Sequence, residues 1–144
     1  MMTLGDKGTK LIQSFETLEL TGYPDQKGIP TAGWGHTGGV EIGKTYAIDQ
    51  ADDWFLDDTH SACAAIARNV DVALTQNQFD ALVSFAFNVG IGAFAGSTLL
   101  KYVNRGLWDQ AAAQFDIWNH VDGQVDAGLT RRRAAEKQLF LSVD

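Results

Sequence analysis

A chain of 144 residues has room for one hydrophobic core and is too short for two ordinary domains. With 45% apolar and 20% charged residues it has the balance of a soluble globular protein, without repeats or low-complexity tracts. A net charge of −7 argues against nucleic acid and anionic membranes as primary partners, and a lone cysteine, Cys63, excludes an internal disulfide.

A first helix is expected over residues 3–17, where Leu11, Ile12 and Phe15 form an apolar stripe and Gly5 and Gly8 weaken the opening turns. Between Leu20 and Thr45 the chain turns rich in glycine, at positions 22, 28, 33, 35, 38, 39 and 43, with prolines at 24 and 30. Short runs such as residues 29–34 predict small strands joined by tight turns, enough for a two- or three-stranded lobe. Asp49 is a good N-cap, and from there the chain is expected to be helical to its end. The second helix is placed at 50–68 with Trp54, Leu56 and Ile66 as anchors. A third opens on the capping-box pattern Thr75 to Gln78 and stops at Gly90. Others follow at Ser97 to Arg105, Trp108 to Trp118 and Leu129 to Leu141. The fold class is α+β: residues 1–144 as one domain, a β lobe at about 18–46, a helical lobe at about 49–144 that takes in the first helix, and a cleft between.

Several residues carry plain structural expectations. Asp49, Asp52, Asp53, Asp57 and Asp58 predict a solvated helix face, since the glycine-bent loop of a calcium site is missing. Cys63, among small helical residues, is expected to be a buried packing group, and no spacing suits a metal. Trp54, Trp108 and Trp118 are expected in the core, His60 and His120 on the surface. The N-terminus lacks the apolar run of a signal peptide, and no stretch approaches the roughly 18–20 residues that cross a bilayer. Synthesis in the cytoplasm without membrane insertion is therefore expected.

Glu16, Asp25 and Thr31 are the candidates for chemistry. Glu16 ends the first helix, where the helix's negative pole disfavours a carboxylate and suits an acid that must hold its proton. Asp25 lies in the turn after Tyr23-Pro24, and Thr31 begins the next strand. Glycoside hydrolysis needs such a set: one carboxylic acid protonates the leaving oxygen, and a second polar group handles water or attacks carbon. With 18 acidic residues such spacings also arise by chance, and a turn aspartate equally suits bonding to its own backbone.

From Phe15-Glu16-Thr17-Leu18 through Tyr23-Pro24-Asp25 to Pro30-Thr31-Ala32-Gly33-Trp34-Gly35-His36-Thr37-Gly38, the chain resembles the phage-type lysozymes, the endolysins. Their signature is Glu, eight residues, Asp, five residues, Thr, then a glycine-aromatic-glycine-histidine segment, and Glu16, Asp25 and Thr31 match it without a gap. The likeness continues through Thr75 to Leu82, Phe87 to Gly90, Ser97 to Leu100, Trp108 to Ala112 and Gly128 to Arg133. It departs at Thr17, where many relatives have glycine, a change that removes no reacting group.

The resemblance implies a cofactor-free, monomeric lysozyme-like enzyme cleaving the β-1,4 bond from N-acetylmuramic acid to N-acetylglucosamine in peptidoglycan. Glu16 would be the acid, while Asp25 and Thr31 would hold the attacking water. Such an arrangement inverts the anomeric centre and needs carboxyl groups roughly 6.5–9.5 Å apart. It implies that Arg132 pairs with Glu16, and that His36 ties the β lobe to the helical lobe through Asp80. The protein would wait in the host cytoplasm until a separate holin opens the membrane. Phe87 is open to two roles, cleft wall or core, while Asn88 and Trp34 are expected to meet sugar beside Gly35. Besides that pairing, the run Arg131-Arg132-Arg133 suits contact with substrate or anionic wall polymer, or simple solvation of a helix. The rivals are a lytic transglycosylase, for which Asp25 and Thr31 would be superfluous, and a non-catalytic wall-binding module.

Overall fold

The computed structural model describes residues 1–143; Asp144, the last residue of the expected domain, lies outside them. The chain runs α1 (Asp6–Phe15), a sheet of β1 (Glu19–Pro24), β2 (Pro30–Gly33) and β3 (His36–Thr37), and then α2 (Ile48–Asn69). It continues through α3 (Gln76–Val89), α4 (Ile91–Ala95), α5 (Thr98–Asn104) and α6 (Trp108–Phe115). A hairpin of β4 (His120–Val121) and β5 (Gln124–Val125) precedes α7 (Ala127–Leu141). This is the expected α+β arrangement.

Helix α3 is the axis of the helical lobe. Phe79, Leu82, Val83, Phe85 and Ala86 are all buried, and α1, α2 and α7 pack around it. Phe85 meets Phe115 at 5.5 Å and Trp118 at 5.4 Å in edge-to-face contacts, and Phe115 in turn meets Phe140. The capping box that opens α3 is present in both directions, Gln78 N–H donating to the Thr75 hydroxyl and Thr75 N–H to the Gln78 side chain.

In α2 the buried anchors are Phe55, Cys63 and Ile66. Leu56, expected inside, is 65% exposed, and Trp54 is only half-buried. The helix is rotated because Phe55 fills the space beside Trp34 and Phe87. Its N-cap is Ala47, with Asp49 inside the first turn, so the expected side-chain cap is absent there. Cys63 is buried as expected, and burial pushes its thiol up despite an opposing backbone hydrogen bond from Leu4.

The β4–β5 hairpin was not expected. Its turn, Asp122-Gly123, has φ of 50° and 78°, the backbone that an Asp-Gly pair adopts in tight hairpins. That dipeptide, flanked by Val121 and Val125, was a legible signal.

His36 does not pair with Asp80. Its Nδ1 meets Asp58 Oδ2 on α2 at 2.8 Å, its Nε2 faces the Gly38 carbonyl at 3.0 Å, and its ring stacks on Trp54 at 4.5 Å. His36 still ties the β lobe to the helical lobe, through a different helix. Asp80 instead serves α1, accepting from Gly5 N–H at 2.9 Å and Gly8 N–H at 3.2 Å. Gly5 has no side chain to cap the helix, so a carboxylate from α3 meets its positive end. A Cβ on Gly8 would stand 2.8 Å from Asp80 Cβ, which explains a glycine that sequence alone marks as weakening.

Two stability outcomes follow. Helix propensity alone would make Gly8→Ala stabilising by about 1 kcal/mol. The close approach of Asp80 should reverse the sign, to a loss of about 1–3 kcal/mol in urea denaturation. His36→Asn should lower the melting temperature, at a cost of about 1–2 kcal/mol, by leaving the half-buried Asp58 without its imidazole partner; an unchanged melting temperature would show that the contact does not anchor the β lobe.

Candidate active site

Glu16 is the residue on which α1 ends. Its N–H still bonds Ile12 O at 2.9 Å, but its own backbone is extended, so the side chain leaves the helix where the chain swings toward β1. The carboxylate is 23% exposed and meets the Arg132 guanidinium on α7 at 2.9 Å. The helix-end field expected from sequence therefore has an opposing positive charge beside it. Gly35 crosses directly over the same carboxylate: at φ +75°, a Cβ there would lie 2.6 Å from Glu16 Oε2.

The strands supply the opposite wall. In the antiparallel ladder Thr31 lies beside Tyr23 on β1 and Thr37 on β3. Side chains at paired positions share a face, and all three line the cleft. The next position along, Ala32 opposite His36, belongs to the other face, which packs toward α2. Thr31 donates its hydroxyl to Ile29 O at 2.8 Å. Asp25 accepts from the N–H groups of Lys27 and Ile29 at 2.8 and 2.9 Å, both through Oδ1. It is at once the turn residue that sequence allowed and a cleft carboxylate.

These pieces enclose one cleft of about 580 Å³, lined by Glu16, Tyr23, Asp25, Thr31, Gly35, Phe87, Asn88 and Ile91 among others. Phe87 serves both roles left open for it, lining the cleft while its ring packs against Phe55 at 6.1 Å. Asn88 is exposed at the end of α3, its Oδ1 accepting from Arg133. Burial holds the Tyr23 phenol above its usual range, with the negative charges of Glu16, Glu19 and Asp25 acting in the same sense. Tyr23 thus remains a neutral donor in the cleft.

Two residues expected to meet substrate sit elsewhere. Trp34 packs against the hydrophobic core, its ring edge-on to Phe55 at 5.5 Å, because the left-handed turns at Gly33 and Gly35 carry it inward. Arg132 is only 3% exposed and is engaged by Glu16, Glu136 and Ser84, which makes it a support for Glu16 instead of a surface for sugar. Of the basic run only Arg131 is exposed. Burial acts against the charge on Arg133, while Glu136 beside it acts in favour.

Sequence reasoning gives Tyr23 no role, reads Asp58 as part of a solvated helix face, treats Arg133 only as one of a basic run and leaves out Glu136. The signal for the last two was the spacing of Arg132 and Arg133 from Glu136, four and three residues apart on a helix, where side chains meet. Asp58 carried no signal, being one of several aspartates on α2.

The phage lysozyme family model matches residues 13–136. The chain is 44% identical to the endolysin of Bacillus phage PZA, an alignment covering 98% of this chain and 56% of that protein, so it spans little more than half of this longer relative. It is 39% identical to the endolysin of Salmonella phage P22 across 99% of this chain and all of that protein. Among solved structures, the muramidase domain of SpmX from Asticaccaulis excentricus superimposes with a TM-score of 0.92 at 40% identity, covering 99% of this chain and 100% of that one. With the Glu16, Asp25 and Thr31 motif set in a cleft between two lobes of lysozyme-like fold, this chain belongs to the phage lysozyme family.

Proposed function

We propose that the protein is an endolysin that hydrolyses the β-1,4 bond between N-acetylmuramic acid and N-acetylglucosamine in bacterial peptidoglycan. The observation that carries this is the convergence of Glu16, Asp25 and Thr31 on a single cleft from the end of α1, a turn and a strand. Glu16 gives its proton to the glycosidic oxygen. Asp25, already held by two backbone N–H groups, accepts a proton from water that it positions with Thr31, and the water attacks the anomeric carbon from the opposite face. That course inverts the anomeric configuration. Phe87 supplies an apolar wall and Asn88 an amide for the acetamido groups. His36 and Asp80 remain outside the chemistry, as braces of the β lobe and of α1.

On this reading the chain acts as one catalytic domain, a monomer without cofactor or metal. Among the described residues no helix is long and apolar enough to cross a membrane. Passage from the host cytoplasm to the wall is assigned to a separate holin. Asp25 and Thr31 together favour hydrolysis over a lytic transglycosylase, which needs one acid alone, and over a wall-binding module, which needs none of the three.

Digestion of purified peptidoglycan, followed by mass spectrometry, tests the assignment. Wild-type protein should release fragments with hydrated reducing ends, and Glu16→Gln should release none. Anhydro-ended fragments would make the enzyme a transglycosylase, and no fragments from the wild type would favour a binding module. Gly35→Ala should fold yet lose at least about tenfold in kcat, since its methyl group would displace the Glu16 carboxylate; unaltered kcat would show that this close approach is not needed.

A further inference from the structure

The buried charges of α7 stand outside the three groups assigned to bond cleavage. Glu136 is fully buried and uses its two oxygens separately. Oε2 accepts from Arg132 Nε at 3.2 Å and from the Ser84 hydroxyl at 2.5 Å, while Oε1 accepts from Arg133 Nη1. Each guanidinium then reaches a cleft-lining residue with another nitrogen. Arg132 donates through Nη1 to Glu16 Oε1 at 2.9 Å, and Arg133 through Nη2 to Asn88 Oδ1. One carboxylate therefore stands behind two residues that line the cleft from different helices.

Building on the hydrolase proposed above, we propose that Glu136 is a positioning residue for catalysis, a fork that sets Glu16 through Arg132 and Asn88 through Arg133. A guanidinium is planar and donates in fixed directions, so fixing one edge fixes where its remaining N–H groups point. Both planes are also held from other sides. Arg132 Nη2 donates to the Ser84 carbonyl at 3.2 Å, Arg133 Nε donates to the Trp118 carbonyl at 2.8 Å, and Arg133 lies over the Phe85 ring at 5.1 Å. On the Asn88 arm the fork selects chemistry. With Oδ1 turned to Arg133, the amide presents its N–H₂ to the cleft and so recognises an acceptor, such as an acetamido carbonyl.

The two arms predict a split that general loss of structure does not produce. Kinetics on soluble uncrosslinked peptidoglycan strands would be measured for Arg132→Lys, Arg133→Lys and Glu136→Gln, with circular dichroism reporting the folded fraction. Lysine keeps the charge and loses the fork. Arg132→Lys should lower kcat by about tenfold with a smaller change in KM, and Arg133→Lys should raise KM by about tenfold with a smaller change in kcat. Glu136→Gln should do both. Binding of the same strands by calorimetry on a Glu16→Gln background should weaken with Arg133→Lys and not with Arg132→Lys. Losses in kcat that track the folded fraction, with KM and Kd constant, overturn the fork. Should Glu136→Gln not fold, the two lysine variants decide: a split supports the fork and identical behaviour rejects it. Should the wild type release no fragments, the hydrolase reading fails, and the calorimetric difference alone decides the Asn88 arm.

Discussion

Two guanidinium groups lie side by side in the interior of this protein, and the helical lobe is arranged to neutralise them. Bringing a charge out of water costs several kcal/mol, recovered only when partners of opposite sign and full hydrogen bonding meet it. Arg132 and Arg133 find that environment at the junction of α1, α3 and α7, where Glu136, Glu16, Ser84 and Asn88 converge. Among the described residues no buried side-chain nitrogen or oxygen is left without a partner. Removing one member of such a cluster typically costs about 3–5 kcal/mol, because the others remain charged and buried. The placement of Glu16 is thus tied to the packing of the C-terminal helix, more than a hundred residues away along the chain.

The β lobe solves a different problem with small means. Its sheet is too slight to be stable alone, so one face must be covered. Ala32, on that face, is completely buried, and His36 beside it lies flat on Trp54 of α2. Because side chains alternate along a strand, seating that face on α2 sends Tyr23, Thr31 and Thr37 toward the cleft. Structural anchoring and presentation of the cleft-lining side chains are two sides of one register. A slip by one residue would exchange them.

Legibility followed the range of the interaction. The capping box at Thr75 and Gln78, the stop at Gly90 and the extent of most helices depend on neighbours within one turn, and these could be seen in the residues. The Asp122-Gly123 hairpin was equally local and was missed because the surrounding pattern is helical. Standing among glycines beside the motif, Trp34 reads from sequence as a cleft residue. Its direction is set by the left-handed turns on either side and by the space beside Phe55, neither of which composition reveals. His36 and Asp80 were matched to each other as plausible partners, yet each met a nearer one, Asp58 and the N-terminus of α1.

The α+β class, the glycine-rich lobe between helices and the spaced triplet of Glu16, Asp25 and Thr31 are legible in the residues, because they rest on local backbone preference and on a motif of fixed spacing. Which carboxylate meets His36, which arginines are buried, and that Glu136 stands behind both Glu16 and Asn88 emerge from the packing of distant elements. A charged side chain takes as its partner whichever opposite charge the packing of distant helices brings within about 3 Å. That distance is a property of the fold; spacing along the chain encodes only local pairs such as Glu136 with Arg132 and Arg133, not the reach to Glu16 and Asn88.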